Sequence, residues 1–153
     1  MRKHPVDSLR RCLSKTPKVF IRDSGLVHAL LGINTMDELL SHPVVGASWE
    51  GHVIESLLAV APDGMEASYY RSSGGAELDL VLAAPSGQEI AIEIKRSATP
   101  KLSKGFFSAC EDVQPAQRWL VHGGEASFVL HDDVQALSLD DAMRRLAEPP
   151  QSG

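Results

Sequence analysis

Apolar and polar residues alternate most clearly in two short runs, ELDLVLA at residues 77–83 and EIAIEIK at residues 89–95. Strict alternation is typical of β-strands that turn one face toward a core. It predicts that the leucines of the first run share a face, opposite Asp79: Leu78, Leu80 and Leu82. The residues between the two runs, APSGQ, have the composition of a tight turn. We therefore predict a hairpin.

In the second run, charged residues lie on the face opposite to the isoleucines. Ile90, Ile92 and Ile94 share one face by the period of two, and Glu93 and Lys95 share the other. If the hairpin pairs in register, Asp79 lies beside Glu93. Two carboxylates and an amine then meet on neighbouring strands, which is an arrangement that can hold a divalent metal ion and a nucleophilic water molecule.

The rest of the chain predicts a mixed α/β domain over residues 17–147, after a basic N-terminal segment (residues 1–16) and before a frayed tail (residues 148–153). Further strands are predicted at residues 18–22, 67–71, 118–122 and 127–131. Helices are predicted at residues 23–31, from the Thr35 cap to before Pro43, at 44–61 and 100–113, and from the Ser138 cap to Leu146.

Composition bounds the class of protein. The chain has 153 residues, 43% of them hydrophobic and 23% charged, as expected of one globular domain. It has no apolar run of membrane-spanning length and no signal-peptide core at its start, and its cysteines, Cys12 and Cys110, fit a reduced compartment. We therefore expect a cytoplasmic protein that is not bound to membranes.

The net charge of −5 argues against a protein that coats nucleic acid by bulk charge. The basic residues are nevertheless clustered. Residues 1–22 carry seven lysines and arginines against one aspartate, and Lys95, Arg96, Lys101 and Lys104 follow the candidate site without an intervening acid. Such clusters are either solvated faces or tracks for phosphate groups, and the pattern alone leaves both open.

The long helix supplies a third carboxylate. At 100° per residue, an apolar stripe surrounds Glu50: Val53, Ile54, Leu57, Leu58 and Ala61. A carboxylate on a core-facing stripe is costly without a partner. Glu50 is therefore interpreted either as a helix-start residue that reaches solvent or a lysine, or as a ligand that reaches Asp79 and Glu93.

Together these residues predict a metal centre. Glu50, Asp79 and Glu93 offer only oxygen ligands, which suit Mg²⁺ or Mn²⁺ rather than zinc, and the backbone carbonyl of Ile94 can complete the shell. Lys95 can serve the attacking water molecule and offset phosphate charge. Such a site hydrolyses phosphodiesters.

The order of helix glutamate, strand aspartate and Glu-x-Lys resembles the PD-(D/E)xK phosphodiesterase superfamily, whose fold is restriction-endonuclease-like. More narrowly, four segments look like the C-terminal domain of predicted AAA+ family ATPases: PKVFIRDSGLVHALLGI, GxxxE at 46–50, RSSGGAELDLVL and IAIEIKRS. The resemblance implies a central mixed sheet flanked by helices, with Glu50, Asp79, Glu93 and Lys95 at the active-site positions and Glu77 as an auxiliary acid.

The same resemblance implies nucleic acid, DNA in the first place, as the substrate. Contacts to it are expected from residues around the site: Arg71, Ser73, Arg96, Lys101 and Lys104. A AAA+ ATPase domain and a second copy of the chain are further partners that it suggests. The chain has no GxxxxGK[ST] motif, so we expect a fragment or a remnant of an ATPase system rather than an ATPase.

Three hypotheses follow. The first is a Mg²⁺- or Mn²⁺-dependent nuclease. The second is a non-catalytic module of the same fold that binds an ATPase partner or nucleic acid, since sites can decay on a retained fold. In the third, Asp79, Glu93 and Lys95 form a structural ion-pair network, whose loss would destabilise the fold.

Overall fold

The computed structural model describes residues 24–131 and 133–148. The predicted strand at 18–22, the basic segment at 1–16 and the tail beyond Glu148 lie outside these residues. The helices are α1 (Ser24–Leu30), α2 (Met36–Ser41), α3 (Val45–Val60), α4 (Lys104–Val113) and α5 (Leu139–Ala147). The strands are β1 (Glu66–Arg71), β2 (Glu77–Ala83), β3 (Glu89–Lys95), β4 (Gln117–His122), β5 (Phe128–His131) and β6 (Val134–Ser138).

The six strands form one mixed sheet in the order β1-β2-β3-β4-β6-β5. The first three strands are antiparallel neighbours, β3, β4 and β6 run parallel, and β5 returns antiparallel to β6. Helices cover both faces of the sheet, as buried clusters on its two sides show. The predicted fold class, a central mixed sheet flanked by helices, is confirmed.

One face of the sheet, which we call the apolar face, packs against α3 and α5. Its isoleucines from β3 contact Leu57 of α3 and Leu146 of α5 in one buried cluster. The opposite face, which we call the α4 face, packs against α4 through Phe106 and Cys110. Ala91 belongs to this second cluster. Since strand residues alternate between faces, Glu93 and Lys95 also lie on the α4 face.

Side-chain caps decide where three helices begin. Thr35 and Glu38 form the predicted capping box of α2, and Ser138 accepts the Asp141 amide at the start of α5. The helix predicted from Pro100 begins later. Ser103 accepts the Phe106 amide at 3.0 Å, so α4 begins at Lys104. A serine cap satisfies an amide that the first turn would otherwise leave unbonded, and it prevailed over the proline signal.

A bulge overturns the prediction that Leu78, Leu80 and Leu82 share a face. The register of β1 with β2 shifts so that Tyr69 lies opposite both Asp79 and Leu80. Leu78 consequently joins Val81 in the cluster on the α4 face, whereas Leu80 and Leu82 lie in the cluster on the apolar face. An extra residue in one strand reverses the alternation beyond it.

The bounds of β2 and β3 are as predicted, and the remaining predicted elements within the described residues are found with shifts at their ends. Strand β6 was missed, because Asp133 and Gln135 interrupt its apolar residues and Ser138 was interpreted only as a helix cap. Within residues 24–131 and 133–148, no helix combines the length and apolar character needed to cross a lipid bilayer.

Candidate functional site

Three of the predicted site residues, Asp79, Glu93 and Lys95, lie at one edge of the sheet. Strands β3, β4 and β6 run parallel and end at Lys95, His122 and Ser138. Because β2 is antiparallel to β3, its first residues lie at this same edge. We call the edge with Asp79, Glu93 and Lys95 the carboxyl edge. Open α/β sheets commonly bind ligands outside the carboxyl ends of their parallel strands.

Glu93 and Lys95 form an ion pair on the α4 face. The Lys95 ammonium lies 2.7 Å from Glu93 Oε1. Glu93 is buried, with 4% of the residue exposed, whereas 38% of the Lys95 side chain is exposed. Glu93 Oε2 is buried and has no hydrogen-bond partner among the described residues. Because a buried carboxylate oxygen without a partner is costly, this atom is suited to a cation or a hydrogen-bond donor.

Asp79 reaches across to the backbone beside Glu93. Its Oδ2 accepts the Ile94 amide at 2.8 Å. The backbone pairing of β2 with β3 extends from Ala83 only to Leu80, opposite Ile92. Beyond that point, the Asp79 carboxylate supplies an acceptor for an amide that the neighbouring strand no longer pairs. The bulge at Asp79 thus fixes a carboxylate next to the Glu93–Lys95 segment.

Glu50 lies on α3, the helix that covers the apolar face, while Glu93 faces α4. The preceding residue ties α3 to the carboxyl edge, since the Trp49 indole N–H donates to the Lys95 carbonyl at 3.1 Å. Glu50 itself is half-buried. Within residues 24–131 and 133–148, no three histidine, cysteine, aspartate or glutamate side chains are grouped as they would be around a metal ion. A role for Glu50 as a ligand stays a prediction.

The residues at the carboxyl edge nevertheless fit a hard divalent cation. Glu93 Oε2 is a buried acceptor without a partner in the described part of the chain, and Asp79 is held on the neighbouring strand. Mg²⁺ is commonly bound by one or two protein carboxylates and keeps several water ligands, so a third carboxylate is not essential. Glu93 and Asp79 would hold the ion. The predicted Ile94 carbonyl and Glu50 would be additional ligands.

The residues predicted to contact nucleic acid are all exposed: Arg71, Ser73, Arg96, Lys101 and Lys104. They lie at the end of β1, in the turn that follows it, and in the segment from the end of β3 to the start of α4. These two segments touch, because a Cβ on Gly105 would lie 2.7 Å from the Gly75 carbonyl oxygen. Glu77, half-buried, pairs in register with Arg71 across the two strands.

A family model for a domain of unknown function, DUF4143, matches residues 45–142. The chain belongs to the DUF4143 family. The match runs from the first residue of α3 into α5 and so includes all six strands and the carboxyl edge.

Two curated relatives are uncharacterized proteins of Mycobacterium bovis and Mycobacterium tuberculosis. Each is 43% identical to this DUF4143 chain over 130 residues, which is 84% of the chain and 29% of the relative. The chain thus spans less than a third of the length of these relatives. No solved structure matches it significantly.

A histidine that the sequence did not single out also lies at the carboxyl edge of this DUF4143 domain. His122 ends β4 directly opposite Lys95 and is 1% exposed. Paired residues of parallel strands share a face, so His122 lies on the α4 face with Glu93 and Lys95. The only sequence signal was its position as a polar residue between an apolar strand and two glycines.

The α4 face beside Glu93 is shielded from water. The pKa of the Cys110 thiol is raised to about 11, mainly by burial; Arg118 lowers this pKa and the Glu93 carboxylate adds to the rise. Cys110 of α4 and Glu93 therefore lie on the same side of the sheet, since Cys110 packs in one cluster with Ala91, two residues before Glu93 on β3. Charge interactions are strengthened where water is excluded, which suits a site that must hold a cation.

Proposed function

We propose that this DUF4143 domain hydrolyses phosphodiester bonds of nucleic acid, DNA in the first place, with the help of Mg²⁺ or Mn²⁺. The observation that carries the proposal is the buried Glu93 Oε2 atom, which has no partner among the described residues although it lies beside Lys95 and near Asp79. A buried carboxylate oxygen in that position is matched by a divalent cation. The resemblance to PD-(D/E)xK enzymes gives the reaction class.

Each residue of the carboxyl edge has a distinct part in this proposal. Asp79 and Glu93 hold the cation, and Asp79 keeps its position through the Ile94 amide. A bound divalent ion lowers the pKa of a coordinated water molecule and offsets charge on the phosphate. Lys95, whose side chain is partly exposed, turns from Glu93 toward the attacking water or the scissile phosphate.

The exposed basic residues around the edge are suited to the phosphate backbone. Lys104 precedes Gly105, which touches the turn between β1 and β2, and Arg71 is the last residue of β1 before that turn. Arg96 and Lys101 lie in the segment that follows Lys95. Such contacts position a nucleic acid without reading its sequence. Binding by these four residues is expected to weaken as salt concentration rises.

The proposal is tested by cleavage assays with Mg²⁺ and with Mn²⁺ on single-stranded, duplex and branched DNA and on RNA. Asp79→Ala and Lys95→Ala should each abolish cleavage and keep the circular dichroism spectrum of the parent. Glu66→Ala is the matched control, because this exposed carboxylate begins β1 at the opposite edge of the sheet. Cleavage that survives both site substitutions would refute the proposal.

The structural ion-pair hypothesis makes a different prediction for the same variants. If Glu93 and Lys95 serve only the fold, Lys95→Ala should lower the free energy of unfolding, because the buried carboxylate loses its partner. Urea unfolding of the parent and Lys95→Ala proteins therefore separates the two. A large loss of stability in Lys95→Ala, without metal-dependent cleavage by the parent, would favour the structural network.

A second candidate function, a docking module for a AAA+ ATPase domain, is favoured by exposed apolar side chains on and between α1 and α2: Leu26, Leu30, Leu31, Met36 and Leu40. Contiguous exposed apolar surface often marks an interaction site. The relatives are also much longer than this chain. Leu30→Asp with Leu40→Asp should abolish binding to the part of such a relative that lies outside the match with this chain and leave cleavage unchanged.

A further inference from the structure

His122 is held at the carboxyl edge by contacts around one side of its ring. The Gly124 amide donates to His122 Nδ1 at 3.0 Å, and the Phe128 ring lies 5.5 Å away, centroid to centroid. A Cβ on Gly124 would lie 2.9 Å from His122 Nδ1 and 3.2 Å from the Ala98 Cβ. The ring is therefore fixed between the end of β4, the following turn and the segment after β3.

The Gly124 contact decides which ring nitrogen carries the proton. An amide can donate only to a nitrogen with a free lone pair, so Nδ1 is the acceptor and the proton lies on Nε2. His122 is consequently a hydrogen-bond donor through Nε2 rather than a metal ligand. This Nε2 atom is buried and has no hydrogen-bond partner among the described residues.

The same sheet face carries a complementary acceptor. Glu93 Oε2 is the other buried side-chain polar atom without a partner in the part of the chain that the structure describes. Glu93 pairs with Leu120 in the register of β3 with β4, and His122 lies two residues further along β4. From standard strand spacings, the two Cα atoms are roughly 8 Å apart on the diagonal. A glutamate and a histidine side chain can together span that distance.

We propose that His122 is a positioning residue for Glu93, to which its Nε2–H donates at Oε2 through one water molecule, since the two atoms are not hydrogen-bonded to each other directly. This inference rests on the proposed function, because the contact would occupy one lone pair of Glu93 Oε2 and hold the carboxylate so that the second lone pair of this atom faces the cation. Carboxylate ligands of metal ions are usually held by a hydrogen bond of this kind.

A purely structural role for His122 would be to support the turn at Gly123 and Gly124. Two substitutions separate the roles. His122→Phe keeps an aromatic ring beside Phe128 and removes both nitrogens, whereas His122→Gln keeps an N–H donor near the position of Nε2. His52→Phe, at an exposed histidine of α3, is the control. If only the ring matters, His122→Phe should behave as the parent does.

The first measurement is nitrogen-15 NMR of the imidazole groups in the metal-free protein and in Glu93→Gln. We expect His122 to show a proton on Nε2 and none on Nδ1, and we expect the Nε2–H signal to shift in Glu93→Gln. The parent protein and one conservative variant suffice, so this test does not depend on whether His122 variants fold. An Nε2–H signal that Glu93→Gln leaves unchanged would overturn the inference.

The second measurement is the affinity for Mn²⁺, by calorimetry, of the parent protein and of its His122 and His52 variants. Loss of a residue that orients a metal ligand typically weakens metal binding about 10–100-fold. We expect His122→Phe to show such a loss, His122→Gln to recover most of it, and His52→Phe to bind as the parent does. Equal affinity of His122→Phe and the parent would overturn the inference.

The two measurements can contradict the proposed function and the role of His122 independently of each other. If the parent protein does not bind Mn²⁺, the proposed function fails, and the NMR coupling of His122 to Glu93 still decides whether the two side chains interact. If the parent binds Mn²⁺ and His122→Phe binds it equally well, only the role of His122 fails.

Discussion

The two faces of the sheet use the same strands for different purposes. On the apolar face, Ile90, Ile92 and Ile94 are buried against α3 and α5. On the α4 face, the intervening residues of β3 are Ala91, Glu93 and Lys95. The difference grows along the strand: Ala91 lies in a buried apolar cluster, whereas Glu93 and Lys95, at the carboxyl edge, are charged.

This difference separates stability from chemistry within a single strand. Burial of an isoleucine side chain stabilises the fold by about 1.5–3 kcal/mol. Burial of a carboxylate costs several kcal/mol, which an ion pair offsets only in part. Glu93 is therefore a poor choice for stability alone. Glu93 is buried although its burial lowers stability, and it lies beside Lys95 and Asp79. Functional sites commonly contain such charged residues in unfavourable surroundings.

The largest expected effect is on the apolar face. Ile92→Ala should lower the free energy of unfolding by about 2–5 kcal/mol, because Ile92 is fully buried and its truncation leaves a cavity. Urea unfolding measures the change. Leu40→Ala, at an exposed apolar residue of α2, is the control and should stay within about 0.5 kcal/mol of the parent. Equal losses from both would contradict the assignment of the core.

An intermediate effect is expected where α4 meets the turn between β1 and β2. Gly105→Ala should destabilise the protein by about 1–2 kcal/mol, because its Cβ would lie 2.7 Å from the Gly75 carbonyl oxygen and the backbone must shift. Gly46→Ala in α3 meets nothing within 4 Å and should be neutral or stabilise by up to about 1 kcal/mol. Thermal unfolding of both variants measures the contrast. A stabilised Gly105→Ala protein would show that the two segments do not touch.

The prediction with the smallest effect on stability concerns the reactivity of Cys110. It tests whether water is excluded from the α4 face. Burial raises the pKa of Cys110 from 9.0 to about 11, so near pH 8 its thiolate fraction should be on the order of 100-fold below that of an ordinary thiol. We expect iodoacetamide to modify native Cys110 correspondingly slowly and the unfolded chain quickly. The measurement uses Cys12→Ser, which leaves one thiol. Rapid modification of the native protein would show that water reaches Cys110 on the α4 face.

The same pKa shift gives the sign of a pH effect. A thiol with a raised pKa in the folded state holds its proton more tightly than in the unfolded chain, so its contribution to stability is complete below the ordinary pKa. That contribution is lost as the pH rises from about 9 toward about 11. Cys110→Ala should reduce this alkaline loss of stability.

The sequence pattern was informative where alternation was regular. It predicted the bounds of β2 and β3 and placed Asp79 beside the Glu93–Lys95 segment, because a period of two fixes which residues share a face. It was wrong about Leu78, since the bulge at Asp79 and Leu80 depends on the register with β1. Register is a property of paired strands, and the sequence of either strand alone does not determine it.

The same limit explains why His122 was missed. Lys95 and His122 become neighbours only through the parallel pairing of β3 with β4, and 26 residues separate them in the chain. The pattern of the intervening residues predicts the helix α4. It does not predict that β4 pairs with β3. For Glu50, the local structure was predicted correctly but its position relative to the other carboxylates was not determined. Its helix and its stripe were predicted correctly, yet the helix covers the apolar face, so periodicity alone did not determine which carboxylates meet.

We propose, above all, that Asp79 and Glu93 bind a divalent cation at the carboxyl edge. Mn²⁺ titration of the metal-free protein by calorimetry, in parallel with Asp79→Asn, Glu93→Gln and the Glu66→Ala control, tests it most directly. We predict saturable binding by the parent and Glu66→Ala proteins that is lost in Asp79→Asn and Glu93→Gln, while all four stay folded. A well-folded parent that binds no Mn²⁺, or binding that survives both substitutions, would contradict the account.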